Sequence, residues 1–174
     1  MPSSTLRLFF ALWPDPPRRA ALGRLAASVA EETGGRATAT ENVHLTLAFL
    51  GAQPRESVGE LTARARNIAA APFVLELDHV DCWRRNDIAW AGASRVPRPL
   101  AALRGSLAAS LTDAGIALDP RPFAVHVTLA RRLKRTVRRA LAPPLAWPVD
   151  RWALVASMPG RGGPEYRVLE RLEL

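Results

Sequence analysis

Two short segments of the chain carry the same pair of polar side chains. Residues 43–48 read VHLTLA and residues 125–130 read VHVTLA, so a histidine is followed two positions later by a threonine in each copy. Histidine gains and loses a proton near neutral pH, and it is the side chain most often used to move protons in catalysis. A threonine hydroxyl donates or accepts hydrogen bonds. The repeat therefore indicates acid–base chemistry with hydroxyl donors beside it.

Both hexapeptides are typical of β-strands, in which successive side chains point to opposite faces. His44 and Thr46 then share one face, as do His126 and Thr128. If the two halves of the chain are related by a pseudo-twofold axis, these faces meet in one cleft. A neutral and a protonated imidazole on either side of a phosphate would act as base and acid, and the hydroxyls would bind its oxygens. A single histidine–threonine pair also occurs in purely structural strands. Strand packing, however, does not require the same pair at matched positions in two strands.

Other catalytic motifs are missing from the sequence. A zinc site needs three or four clustered ligands, whereas the chain has three histidines and one cysteine, without ligand spacing. It has no G-x-S-x-G elbow, no P-loop and no G-x-G-x-x-G turn. We therefore expect no metal and no cofactor. The third histidine, His79, has no threonine two positions later, and we expect it to be structural or exposed.

The composition is that of a globular protein with an excess of arginine. The chain has 174 residues, a net charge of +8 and a single lysine. Residues 121–139 hold seven basic residues and no acidic one, which suggests a polyanion such as RNA as the partner, or else a solvated basic surface. The lone Cys82 is typical of a reducing compartment. With no secretory leader and no apolar run of about 20 residues, we expect a cytoplasmic protein without a membrane span.

The hydrophobic periodicity predicts the order β-α-β-α-β-β-α-β-β-β. Strands are predicted at residues 6–13, 43–51, 73–83, 88–93, 123–131, 147–159 and 166–174, and helices at residues 18–34, 55–70 and 99–114. Residues 132–140 are predicted as a short basic helix or a loop, and residues 161–165 as a loop. No long linker interrupts this order, so we expect a single bilobal α+β domain covering residues 1–174.

Several aromatic side chains have two interpretations. Trp13, Trp90, Phe9 and Phe49 lie in apolar runs and are expected in the core. Tryptophan can also stack on a nucleobase, an interpretation that remains open for Trp83. The sequence does not decide between a core and a surface position for Tyr166, near the start of the last strand.

The paired motifs resemble those of the 2H phosphoesterase superfamily. HLTLAFLG (44–51) and HVTLAR (126–131) match its two H-x-T motifs, and the opening RLFFALWPD (7–15) is similar to its bacterial and archaeal RNA 2′,3′-cyclic phosphodiesterases, also called 2′-5′ RNA ligases. The resemblance implies a bilobal, pseudo-twofold fold, with two small antiparallel sheets and outer helices around a central cleft. It also implies metal-independent hydrolysis of RNA 2′,3′-cyclic phosphate ends to 2′-phosphomonoesters.

The resemblance also implies a role for each site residue. His44 is similar to the proton donor to the leaving 3′ oxygen, and His126 to the proton acceptor that activates water. Thr46, Thr128 and Arg131 are similar to the residues that bind the phosphate. Strict strand alternation, however, places Arg131 on the face opposite to His126, so it reaches the phosphate only if the strand ends or twists there.

The implied partners are RNA ends that carry a 2′,3′-cyclic phosphate, tRNA fragments among them, with the protein acting as a monomer. Three alternatives remain open. The substrate could be a small cyclic nucleotide or ADP-ribose 1″,2″-cyclic phosphate. The same two histidines could catalyse reversible 2′-5′ RNA ligation. The protein could also be an RNA-binding module without catalysis.

Overall fold

Nine strands form one antiparallel sheet, with three helices packed against it, in a computed structural model that describes residues 4–161 and 163–174. The strands are β1 (Thr5–Leu12), β2 (Arg36–Ala37), β3 (Leu45–Pro54), β4 (Phe73–Trp83), β5 (Ile88–Gly92), β6 (Val127–Arg131), β7 (Arg139–Val149), β8 (Arg151–Gly160) and β9 (Gly163–Glu173). The helices are α1 (Pro16–Thr33), α2 (Ser57–Arg66) and α3 (Arg98–Asp113), and a 3-10 turn spans Thr40–Asn42. The strand order is β7-β4-β5-β6-β3-β1-β8-β9, with β2 beside β6.

Apart from the short β2, the sheet consists of two four-stranded halves that join at a single residue pair. Strands β3 and β6 are in register only at Leu45 and Val127. These residues hold the same position in the two hexapeptides, and an antiparallel pair is itself two-fold symmetric. The pseudo-twofold axis therefore passes through this pair. The two small sheets of the sequence prediction are thus the halves of one open sheet, because the first residues of the two motif strands pair with each other.

The helices cover one face of the sheet and build the main core there. Asp15 caps the N-terminus of helix α1, and its carboxylate accepts a hydrogen bond of 2.9 Å from the backbone N–H of Arg18. The helix ends at Gly34, which adopts a φ of 66°. Leucines of α3 on one stripe are fully buried: Leu100, Leu103, Leu107 and Leu111. None of the helices in the described residues has both the length and the apolar composition of a membrane span.

The opposite face of the sheet carries a second, smaller apolar cluster. Leu8, Phe10 and Leu12 of β1 belong to the main core, whereas Phe9 and Ala11 point the other way. They pack there with residues of β8 and β9, and Trp13 lies against them. Helix packing thus stabilises one face of β1, while the other face is left available for a cleft.

Two strands are absent from the sequence prediction, and β9 begins at Gly163, within residues 161–165 that we predict as a loop. Residues 139–149 form β7, whereas we predicted residues 132–140 as a basic helix or loop and a strand only from residue 147. Pro143 and Pro144 are typical of a loop, so the sequence does not indicate this strand. Proline is tolerated here because β7 is an edge strand. The short β2 has no periodicity of its own and forms only because it pairs with β6.

Candidate active site

Both motif histidines lie immediately before their strands and are held in the same way. Nδ1–H of His44 donates to the carbonyl of Asn42 at 2.7 Å, and Nδ1–H of His126 donates to the carbonyl of Ala124 at 2.9 Å. A carbonyl oxygen can only accept, so Nδ1 carries the hydrogen in each neutral ring. Nε2 is therefore the atom that takes up or releases a proton in both imidazoles.

The register at the junction brings the two motifs to one place. Since Leu45 and Val127 pair, their neighbours on either side point to the opposite, helix-free face. The four polar side chains accordingly line one cavity of about 600 Å³: His44, Thr46, His126 and Thr128. The structure thus assembles two imidazoles and two hydroxyls around a common space.

Arg131 reaches the same cavity because β6 contains a β-bulge. Adjacent residues of β5 pair with Thr128 and Ala130, which leaves Leu129 as the extra residue. A bulge shifts the alternation of side chains by one position. Arg131 therefore comes to the face of His126 and lines the cavity. The placement expected from strict alternation is wrong for this physical reason.

Strand β3 has the equivalent bulge, with a different outcome. Adjacent residues of β1 pair with Thr46 and Ala48, so Leu47 is the extra residue, in the position that Leu129 holds in β6. The counterpart of Arg131 is then Phe49. Phe49 is 47% exposed rather than buried in the core as predicted, and the guanidinium of Arg7 lies 5.4 Å from the centre of its ring.

Aromatic rings surround His44. The imidazole stacks on Trp13, with ring centres 5.4 Å apart, and it contacts Phe9 at 5.0 Å and the edge of Tyr166 at 5.1 Å. Burial lowers the pKa of His44 to about 4; the hydrogen bond to the backbone of Asn42 opposes the shift, and the nearby positive charges add to it. His44 is therefore neutral at pH 7 in the free protein.

His126 has a more open environment. It meets the edge of Trp83 with ring centres 4.8 Å apart. Burial lowers its pKa as well; the backbone hydrogen bond to Ala124 opposes the shift, and the charge of Arg131 adds to it. Nε2 of His44 lies 3.1 Å from Oγ1 of Thr46, whereas within residues 4–161 and 163–174 Nε2 of His126 has no hydrogen-bond partner.

Most of the basic side chains that follow the second motif form hydrogen bonds or ion pairs with other parts of the protein. Arg135 donates to the backbone oxygen of Glu32 at 2.7 Å, at the end of α1. Arg138 pairs with Asp81 at 2.8 Å, and Arg139 pairs with Glu32 at 3.1 Å. Of this segment, only Arg131 and Arg132 line the cavity with the histidines. The charge available to RNA at the cavity is thus smaller than the sequence suggested.

Several groups at the site are not predictable from the sequence motifs. The carbonyls that orient the imidazoles belong to the backbone, and no residue type encodes them. Phe9 is buried as predicted, but in the smaller cluster on the helix-free face, where Trp13 packs against it, and both rings contact His44. The alternation of Phe9, Ala11 and Trp13 along the first strand carried this signal, because it separates them from the leucines on the other face.

No cluster of three or more histidine, cysteine or carboxylate side chains that could hold a metal ion occurs among the described residues. The cavity offers imidazole, hydroxyl and guanidinium groups, which bind and protonate phosphate esters directly.

An antiparallel α+β fold with two H-x-T motifs in one cleft defines a two-histidine phosphoesterase, and comparison with known proteins agrees. The family model described as LigT like Phosphoesterase matches residues 12–90. The RNA 2′,3′-cyclic phosphodiesterase of Escherichia coli K12 is 33% identical over 99% of this chain and 98% of its own length. The enzyme of that name from Thermus thermophilus is 32% identical over 97% of this chain and 90% of its own. This chain belongs to the LigT-like phosphoesterase family.

Solved structures agree with this assignment. The crystal structure of E. coli LigT complexed with 3′-AMP superimposes with a TM-score of 0.89, at 32% identity, over 98% of this chain and 99% of that one. The E. coli LigT complex with phosphate gives a TM-score of 0.83, at 31% identity, over 99% of each chain.

The pKa of His44 predicts a loss of stability in mild acid. Below its ordinary value of 6.5 the unfolded chain binds a proton that the folded protein takes up only near pH 4. The free energy of unfolding should therefore fall by roughly 2–3 kcal/mol from this residue as the pH drops through that window. Urea unfolding at a series of pH values measures this free energy. In His44→Gln, its dependence on pH should be flatter. An equally steep curve for the variant would contradict the assignment.

Proposed function

We propose that this protein hydrolyses RNA 2′,3′-cyclic phosphate ends to 2′-phosphomonoesters, with His44 as acid and His126 as base. The observation that carries the proposal is the convergence of two imidazoles, two threonines and Arg131 on one cavity. The names of the E. coli and T. thermophilus relatives support the same reaction.

The proposed reaction is a single in-line displacement. Nε2 of His126 takes a proton from water as its oxygen attacks phosphorus. The bond from phosphorus to the 3′ oxygen breaks, and Nε2–H of His44 gives its proton to that oxygen. The product carries a 2′-phosphate and a free 3′-hydroxyl. Thr46, Thr128 and Arg131 stabilise the charge on the non-bridging oxygens.

Substrate binding raises the pKa of His44, so that the imidazole takes up a proton from solvent. In the free protein its pKa is about 4, too low for a proton donor at neutral pH. A phosphate anion about 4 Å from an imidazolium contributes about 4 kcal/mol at an effective dielectric constant near 20, which corresponds to roughly three pKa units. The bound phosphate thus brings the pKa of His44 close to neutral pH. His44 is then a proton donor only when substrate is present.

Four finer points belong to the same proposal. The chain acts as one domain, a view supported by a main core that includes residues of both halves, such as Leu45 and Leu129. Its substrates include tRNA fragments, it acts as a monomer, and it works in the cytoplasm. The last three remain predictions from the sequence.

The direct test is an assay in EDTA on an oligonucleotide that ends in a 2′,3′-cyclic phosphate. We expect conversion to the 2′-phosphomonoester at the rate seen without EDTA, because the cavity supplies its own acid, base and anion-binding groups. Chromatography against 2′- and 3′-phosphate standards identifies the product. A 3′-phosphate product, activity lost with EDTA, or salt-dependent RNA binding without turnover would each contradict the proposal.

A further inference from the structure

A second cavity, of about 540 Å³, adjoins the first at His126. Aromatic rings of Phe49, Trp83 and Phe123 line it, together with the guanidinium side chains of Arg85 and Arg104. Phe49 comes from one half of the sheet and Trp83 from the other. A volume of this size, with apolar walls and a few polar groups, is typical of a small-molecule site. A ligand there would lie directly beside one of the two reacting imidazoles.

Arg104 is the unusual charge in this cavity. Its guanidinium lies 5.5 Å from the ring centre of Phe123, and Nε is buried without a hydrogen-bond partner in the part of the chain that the structure describes. Arg121, at the same cavity, pairs instead with Asp119 through Nε at 3.0 Å. Partial burial lowers the pKa of Arg104.

An arginine charge that is partly removed from water and lacks a counter-charge is costly. An anion bound in the cavity would offset this cost, since a guanidinium matches the geometry of phosphate oxygens. The aromatic walls meanwhile suit a nucleoside, because bases stack on such rings whatever their sequence. The cavity therefore combines the two contacts that a phosphate-linked nucleoside requires, next to His126.

We propose that the second cavity is a subsite for the RNA chain, in which Arg104 binds the phosphodiester on the 5′ side of the terminal nucleoside. This inference rests on the proposed function and names its substrate class. A cyclic mononucleotide fills the histidine cavity but has no phosphodiester for Arg104. The enzyme should then prefer oligonucleotide ends to cyclic mononucleotides.

Three substrates with the same terminal nucleoside test this subsite: a nucleoside 2′,3′-cyclic phosphate, a dinucleotide ending in it, and that dinucleotide with a neutral methylphosphonate linkage. For the wild-type protein, kcat/KM of the charged dinucleotide should exceed that of the mononucleotide by about 10- to 100-fold, the range for a hydrogen bond to a charged group. The neutral linkage should remove most of the gain. Arg104→Gln should lower the ratio for the charged dinucleotide to that of the dinucleotide with the neutral linkage.

Arg98→Gln, an exposed arginine at the start of the same helix, serves as the matched control and should keep the preference. Equal kcat/KM values for the three substrates of the wild-type protein would overturn the subsite, as would an unchanged ratio in Arg104→Gln. The methylphosphonate comparison needs no variant, so it decides even if Arg104→Gln fails to fold. If the wild-type protein cleaves none of the three, the proposed function fails rather than the subsite.

Discussion

Replacing His44 or His126 with glutamine should lower kcat for cyclic phosphate hydrolysis by about a hundred- to ten-thousand-fold, the usual contribution of a positioned acid or base. Each imidazole presents Nε2 to the shared cavity, and glutamine cannot transfer the proton. Initial rates on the oligonucleotide substrate measure the effect. His79→Gln is the matched control, because His79 lies outside this cavity and pairs with Asp78 at 2.5 Å. Retention of near wild-type activity in either motif variant would refute the acid–base pair.

A substrate with sulfur in place of the 3′ oxygen separates the two roles. A thiolate leaves without help from an acid, so this substrate should largely restore the activity of the variant that lacks the proton donor. We expect restoration in His44→Gln and none in His126→Gln, where the base is missing. Restoration in His126→Gln alone would reverse the assignment. The test is informative because the low pKa of His44, the proposed acid, leaves it neutral at pH 7 in the free protein.

The pH dependence of kcat/KM should be shifted towards acid. The free protein is competent when one imidazole is protonated and the other neutral. Burial lowers the pKa of His44 to about 4 and also lowers that of His126. The optimum of kcat/KM should therefore lie below pH 6.5, the ordinary value for histidine, with a fall of about tenfold per pH unit on the alkaline side. The kcat profile should lie at higher pH, because bound phosphate raises both pKa values.

Arg131→Gln provides the control for this profile. The charge of Arg131 lowers the pKa of both histidines, so its removal should move the alkaline limb of kcat/KM to higher pH, whatever the loss in absolute rate. A flat profile between about pH 5 and 8 in the wild-type protein, or a limb that does not move in the variant, would contradict the electrostatic account.

The prediction of the elements succeeded where the periodicity was strong. The three helices were predicted from their apolar stripes, and the strand at residues 73–83 from alternation, because burial against one face imposes these periods. Strand β7 was missed because its prolines are typical of a loop. Its position at the edge of the sheet, which makes proline acceptable, is a property of the whole fold.

The sequence by itself determined the chemistry of the site, because the types His44, Thr46, His126 and Thr128 and their matched spacing are local facts. The tertiary structure alone decided how these groups are arranged and in which environment they lie. The pairing of two distant strands brings the motifs together, and the bulge in β6 turns Arg131 into the cavity. The aromatic rings around His44, contributed by distant parts of the chain, lower its pKa. Such effects depend on which surfaces meet, and periodicity along the chain does not carry that information.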